Sequence, residues 1–400
     1  MISDTTVDYT YVRHDRDLQT LCQQLADDKH IFFDTEFISE DVYLPDLCLI
    51  QVASKSGLAV IDPKGMIDLT PFWELITSDD VTVVAHAARE EFLFCFRATG
   101  KWPTRLFDTQ VAAGLVGMEF PISLGNLIIR LLGERLPKGE TRTNWRGRPL
   151  SKQQIEYALN DVIYLDQIYQ QLADQLEELG RTSWMEAEMT RFQTTWEEYS
   201  TRPGWRSVSG IGNLNRRSLA IVREIWTWRD HHAKSQNVPP RRILRDDLMV
   251  ELSKRKSAKV SQIKALRGMN RRDLDPYLDD LADCVRRAID LPDEDCPTNH
   301  RGTANSQYTV LGQFLSAALG SICREARIAP SLACTIQDVR DLVAYHLDKT
   351  GEMPSLAKGW RAEVIGRTIE DLLDGSLVVK IGDPRADEPL AFERHSDQAK

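Results

Sequence analysis

Ile31-Phe32-Phe33-Asp34-Thr35-Glu36-Phe37 is a run of strand-forming residues interrupted by two carboxylates two positions apart. On a strand, successive side chains point to opposite faces, so Asp34 and Glu36 share one face although their neighbours Phe33 and Phe37 are apolar. Two anions held in such company call for a cation, although a solvated strand face carries the same pattern. Working outward, Leu47 to Ala53 reads as a second strand after the turn-like Pro45-Asp46, and Leu58 to Ile61 as a third ending at Asp62-Pro63. Val81 to Ala85 forms a buried fourth that leads into a helical run near Ala87. This alternation over residues 1–200 predicts a mixed α/β domain.

Two further stretches of that domain carry acids. His86-Ala87-Ala88-Arg89-Glu90-Glu91-Phe92 puts a histidine at the end of a buried strand and acids at the entry of a helix. There Glu91 joins the first two carboxylates or, on a plainer reading, Glu90 and Glu91 complement the helix dipole. Leu150-Ser151-Lys152-Gln153-Gln154-Ile155 predicts a helix start, with Ser151 as N-cap, Gln154 at the third helical position and Leu150 and Ile155 as a hydrophobic staple. The helix is expected to run through Tyr157 and Asp161 toward Leu179 and to stop at Gly180. Tyr157 and Asp161, four apart, stand one turn apart on one face. That spacing suits a metal ligand beside a water-orienting phenol, and equally a core tyrosine with an exposed aspartate.

The chain has 400 residues, against roughly 100–200 per domain, so two or three units are expected. Pro203-Gly204 with Gly210 and Gly212 marks a linker, after which a helical domain spans 213–292. Beyond the turn-rich Leu291 to Thr303, a third, all-helical unit is expected at 305–376 and a poorly ordered tail at 377–400. The net charge of −10 argues against phosphate binding over the whole surface, yet residues 206–272 hold 17 Lys or Arg against five acids, and 273–295 hold nine acids against Arg286 and Arg287. The basic segment is the candidate for contact with a nucleic-acid backbone, or else a solvated face. Seven scattered cysteines without a CxxC pair read as reduced thiols. Met1 to Arg13 lacks an apolar signal core and no run reaches the roughly 18 apolar residues of a membrane span, so a cytoplasmic chain without a membrane segment is expected.

Taken together and in this order, the three acidic motifs resemble the DEDD superfamily of 3′→5′ exonucleases, in the tyrosine variant of its third motif, and within it the RNase D family. The resemblance extends to Leu47-Cys48-Leu49-Ile50-Gln51-Val52-Ala53, Phe107-Asp108-Thr109-Gln110, Lys138-Gly139-Glu140-Thr141-Arg142-Thr143 and Ile155-Glu156-Tyr157-Ala158-Leu159-Asn160-Asp161-Val162. It implies an α/β ribonuclease H-like exonuclease domain whose acids hold two divalent cations, Mg²⁺ or Mn²⁺. Asp34 would bridge both metals, Glu36 and Asp161 would bind the first, and Tyr157 would orient the attacking water. Glu91 stands where the family has aspartate, one methylene longer. Thr35 and Phe37, flanking Glu36, are carried as nucleic-acid contacts.

The helical region resembles the HRDC module through Leu219, Val222, Ile225, Trp226, Trp228-Arg229, Asn237 to Leu244, and Leu266-Arg267-Gly268-Met269. Gly359-Trp360-Arg361-Ala362-Glu363 and Leu372-Leu373-Asp374-Gly375 resemble the end of a second copy. These two all-α HRDC-type domains are implied to hold RNA, with Arg241, Arg242, Lys254, Arg255 and Lys256 as the leading phosphate contacts. The implied activity is trimming of RNA 3′ ends to nucleoside 5′-monophosphates in tRNA precursors, with no obligate protein partner. A DNA exonuclease of the same superfamily, or an RNA tether with a weakened nuclease site, are the alternatives.

Overall fold

Six strands form one mixed sheet in the spatial order β1-β4-β3-β2-β5-β6, comprising β1 (Thr10–Val12), β2 (His30–Ile38), β3 (Asp46–Ser54), β4 (Gly57–Ile61), β5 (Thr82–Ala85) and β6 (Arg105–Asp108). The protein is seen in a computed structural model that describes residues 8–65, 68–136, 143–201, 204–298, 306–349, 352–386 and 388–394. Strand β2 lies inside the sheet, parallel to β5, which is in turn parallel to β6, while β3 and β4 run antiparallel. The two outer strands were not anticipated from sequence. Eight helices accompany the sheet: α1 (Asp15–Asp27), α2 (Thr70–Ile76), α3 (Arg89–Thr99), α4 (Thr109–Leu115), α5 (Leu124–Leu132), α6 (Lys152–Ile163), α7 (Leu165–Glu178) and α8 (Thr182–Thr201).

The pleat of β2 sorts its residues between two apolar layers. Phe32 points to Tyr169 of α7, with ring centroids 6.1 Å apart, whereas Phe33 points to Phe72 of α2 and Phe92 of α3, at 6.0 and 6.2 Å. Phe33, Phe72 and Phe92 have no exposed surface, a burial that contributes roughly 1.5–3 kcal/mol per side chain. The capping box at Ser151 is present, with its hydroxyl accepting from the Gln154 N–H and the Gln154 side chain accepting from the Ser151 N–H. The expected single helix to Leu179 is instead two, α6 and α7, which meet at Tyr164.

The chain forms two compact units, of which one comprises Phe37–Leu47 and Thr194–Thr303. Its helices are α9 (Arg216–Gln236), α10 (Pro240–Ile243), α11 (Asp246–Arg255), α12 (Val260–Lys264) and α13 (Leu278–Asp290). Leu219, Val222 and Ile225 of α9 join Leu248 and Leu252 of α11 and Leu281 and Val285 of α13 in one core. The described part of the expected linker belongs to this core, because Trp205 and Val208 are buried in it; residue 203 lies outside the described residues. Buried Arg229 donates to the Leu244 carbonyl (2.9 Å) and to Asp246 (2.7 Å), which also accepts from Arg241 (3.2 Å).

The acidic stretch 273–295 folds back on the basic one. Lys264 pairs with Asp275 (2.6 Å), Arg271 with Asp273, Arg217 with Asp293, and Arg287 with Glu224 (3.2 Å). Much of the charge that looked segregated along the chain is therefore neutralised within the unit.

The remaining helices, α14 (Ser306–Glu325), α15 (Pro330–Ala333), α16 (Ile336–Asp348), α17 (Gly359–Arg361) and α18 (Arg367–Leu373), belong to the same unit as the sheet. A single turn of π-helix, Ala362–Gly366, links the last two. Leu315, Leu319, Leu342, Trp360 and Ile369 share one core with Phe107, Leu165, Ile168 and Leu172. At the joint, Glu188 of α8, 1% exposed, accepts from the Trp360 indole (2.9 Å) and from both terminal nitrogens of Arg361, one at 3.0 Å. Arg181 donates to the carbonyls of Leu115 (2.6 Å), Arg327 (2.7 Å) and Ala326. Gly117, at φ 89°, lets Arg327 approach so closely that a Cβ would lie 3.0 Å from its backbone.

The segment 377–400, expected as a tail, is corrected by an antiparallel ribbon of β7 (Leu377–Ile381) and β8 (Leu390–Arg394). The β-rich Leu377-Val378-Val379-Lys380-Ile381, followed by the turn at Asp383-Pro384, accounts for it. Arg394 reaches Asp371 (3.3 Å) and Phe392 packs on the large core, while residues 395–400 lie outside the described residues.

Burial alone would raise the Glu188 carboxyl, but Arg361 holds it below its ordinary range. Its stabilisation is therefore full above the unfolded carboxyl's pKa and fades as pH falls through the lowered folded value. Glu188→Ala leaves Arg361 buried without its anion and is expected to cost about 3–5 kcal/mol at neutral pH. Urea denaturation of both forms measures it, and a loss under about 1 kcal/mol, the scale of a surface pair, would reject this account of the joint.

Candidate active site

Asp34 and Glu36 share the parity of Phe32, so β2 turns them toward the face on which α6 lies. From α6 comes Asp161, and one oxygen each of Asp34, Glu36 and Asp161 can be chosen so that all lie within 4.8 Å of one another. Tyr157 stands one turn before Asp161 on α6, half-buried, with the Trp145 ring 6.2 Å away. Glu91, in the first turn of α3 and only 4% exposed, lies outside that triad. Its Oε1 accepts from the Thr35 hydroxyl at 2.7 Å. Thr35 shares the parity of Phe33 and is itself buried, so its hydroxyl serves the acid cluster and is not open to a nucleic-acid chain. Phe37 is half-buried.

Like charges dominate the electrostatics. Burial, then Asp34, Asp161 and Glu91, push the Glu36 carboxyl up to about 9. Burial first and neighbouring carboxylates second also raise Asp34 and Glu91, and burial raises Asp161. The Tyr157 phenol is raised by burial and by Asp161, Glu36 and Asp34, so it keeps its proton. Elsewhere among the described residues Asp62 is paired with Arg148, Asp246 with Arg229 and Glu188 with Arg361, while buried Asp108 and Asp28 accept from backbone N–H groups. Among the described residues, Asp34, Glu36, Glu91 and Asp161 have no such ion pair. A set of hard oxygen donors with uncompensated charge fits a divalent cation such as Mg²⁺ or Mn²⁺.

Four supporting residues were quoted in sequence motifs, or lie beside them, without being given a role. Gln51 of β3, fully buried, donates to Asp34 Oδ2 at 3.1 Å, and its Oε1 has no partner among the described residues. Its signal was a lone polar side chain inside the apolar Leu47 to Ala53. Arg148 grips Asp62 through two nitrogens (2.7 and 2.6 Å) and the Cys48 carbonyl (2.7 Å), fixing the segment that enters α6. Asp108 and Thr109 brace the turn before α3. The motif Lys138 to Thr143 lies outside the described residues except for Thr143, which accepts from Gln154 (3.0 Å).

The candidate phosphate contacts Arg241, Arg242, Lys254, Arg255 and Lys256 are all exposed, on α10 and at the end of α11. Arg241 is paired with Asp246 and Lys254 with Glu251 (2.9 Å), and Lys256 donates to Asn215 (3.4 Å). Arg242 and Arg255 have no partner among the described residues.

Residues 9–177 match a family model described as 3′-5′ exonuclease, and residues 218–285 match the HRDC domain. The chain is 31% identical over 378 residues to a ribonuclease D of Sphingobium indicum, covering 92% of this chain and 95% of that one. It is also 31% identical over 365 residues to a ribonuclease D of Bartonella henselae, covering 90% and 89%. Among solved structures, Escherichia coli RNase D, an exoribonuclease involved in structured RNA processing, superposes with a TM-score of 0.82 at 25% identity over 92% of this chain and 99% of that one. The catalytic core of RRP6 from Trypanosoma brucei, at 20% identity and a TM-score of 0.55, shares the fold.

Because the folded carboxylates hold protons that the unfolded chain releases near pH 4, the metal-free protein is expected to lose stability as pH rises from about 4 to about 9. Asp34→Asn should raise the metal-free melting temperature at pH 8 by about 2–4 °C per kcal/mol of repulsion relieved. Millimolar Mg²⁺ or Mn²⁺ should stabilise the wild type more than the variant. Equal melting temperatures with and without cation in both proteins would count against a shared cation site.

Proposed function

The chain belongs to the ribonuclease D family of 3′-5′ exoribonucleases, and on that premise we propose that Asp34, Glu36, Glu91, Tyr157 and Asp161 form its active site. The observation that carries this reading is the gathering of three acids within 4.8 Å with no cationic side chain among the described residues to balance them. Asp34, Glu36, Glu91 and Asp161 would hold two divalent cations, Mg²⁺ or Mn²⁺. Bound there, the pair supplies positive charge that makes a water nucleophilic and balances the charge growing on the departing 3′ oxygen. Tyr157, which keeps its phenolic proton, orients that water and does not act as a base. The terminal phosphodiester is hydrolysed between phosphorus and the 3′ oxygen, releasing a nucleoside 5′-monophosphate.

RNA with structured bodies and free 3′ ends, tRNA precursors in particular, is the substrate class. The likeness to a ribonuclease involved in structured RNA processing supports it, as do the HRDC match and the two unpaired arginines, Arg242 and Arg255. The functional division is a nuclease at 1–200, an HRDC domain at 213–292 and a second HRDC-like segment at 305–376, although the last shares the nuclease core. Among the described residues no helix is long and apolar enough to cross a membrane.

End-labelled single-stranded RNA should be shortened stepwise with Mg²⁺ or Mn²⁺, and DNA of the same sequence more slowly. Asp34→Ala should lose more than about 100-fold in kcat, beyond what removal of an outer partner of a metal ligand costs. Unchanged trimming by Asp34→Ala would sink the site, and faster trimming of DNA would overturn RNA as the substrate.

For RNA binding, replacing Arg242 or Arg255 by Gln should flatten the dependence of log K on log salt by about 0.7 each. Replacing paired Arg241 should do less, and equal slopes for all three would remove the basic end of α10 and α11 from the RNA path.

A further inference from the structure

We infer that Asp108 is a positioning residue for the reaction: it holds Ala87 in a left-handed conformation and so sets where the first turn of α3 presents Glu91. This rests on the reading of Glu91 as a site residue. Five non-glycine residues among those described have positive φ, namely Ala87, Asn237, Lys256, Arg327 and Lys349. Asn237, Lys256 and Lys349 are helix C-caps, and Arg327 follows the end of α14 in a turn closed by the Ile328 N–H on the Cys323 carbonyl (2.8 Å). Left-handed residues are ordinary at such exits. Ala87, at φ 55°, is alone in preceding a helix, and alanine has no side-chain group with which to favour that shape.

The backbone is instead held from outside. Ala87 and Ala88 donate their N–H groups to the two oxygens of Asp108, each at 3.0 Å. The same carboxylate caps α4 through Gln110 (2.8 Å) and Val111 (3.4 Å), so it is fixed while it holds the turn. Strands β5 and β6 place Ala85 opposite Asp108. His86 is pinned between the Thr109 hydroxyl (2.8 Å) and the Ile122 carbonyl (3.0 Å), which anchors the turn on its other side. Four residues beyond Ala87, the chain delivers Glu91 to Thr35 and to the side of Asp34.

The test separates positioning from general support of the fold, because a glycine at 87 adopts this backbone unaided. In the full-length protein with Mn²⁺, Asp108→Asn is expected to lower kcat by about 10–100-fold and to raise the Mn²⁺ concentration for half-activation. The KM for RNA should move by less than about twofold, since the contacts to RNA are untouched. Ala87→Gly in the Asp108→Asn background should restore most of the lost kcat. Ala87→Val, a change at an exposed position, should reproduce the loss with Asp108 intact, which keeps the test open should Asp108→Asn fail to fold. The positioning role is overturned if glycine restores nothing, if Ala87→Val has wild-type kcat, or if the loss falls on KM. Glu91→Gln is measured alongside. If it is as active as the wild type, the site reading fails and takes this role with it, whereas an inactive Glu91→Gln beside unaffected Asp108 and Ala87 variants rejects the positioning role alone.

Discussion

Mutual repulsion among carboxylates is the constraint to which the nuclease unit is built. At the roughly 5 Å separations of the acid triad, each ionised pair repels by roughly 3 kcal/mol at an effective dielectric of about 20. No local sequence preference would gather them. They are held because each sits on an element committed elsewhere: β2 by Phe32 and Phe33 on its two faces, α6 by its capping box and the Arg148 grip on Asp62, and α3 by Phe92 in the core. Burial of apolar surface offsets the repulsion until a cation relieves it.

The same rule explains why the site stands out. A buried charge is tolerated when paired, and Asp62, Glu188 and Asp246 each accept from an arginine that also donates to a backbone carbonyl. Those three clusters hold the structure together. The acid cluster has no such partner among the described residues, and around it lie Gln51 on Asp34, Thr35 on Glu91, and Asp108 on the turn between β5 and α3.

How much of this was legible in the sequence depended on the range of the interaction responsible. The Asp34/Glu36 parity, the cap at Ser151 and the facing of Tyr157 and Asp161 are decided within one element and were read directly. The edge strands β1 and β6 are three and four residues long, too short for periodicity to show. The break at Tyr164 carries no glycine or proline. Thr35 gave no sign of its partner because its bond to Glu91 spans 56 positions. Likewise the basic segment looked bare because its acids lie further along the chain. The C-terminal helices looked like a separate unit because Glu188, 173 positions from Arg361, gave no hint of its partner.

That last joint has a consequence for biosynthesis. A nuclease confined to residues 1–200 would be folded before residues 315–369 had been made. Here Leu315, Leu342, Trp360 and Ile369 close the core against which α7 packs, and Glu188 waits for Arg361. Translation must deliver those late residues before the α7–α8 flank of the sheet is sealed.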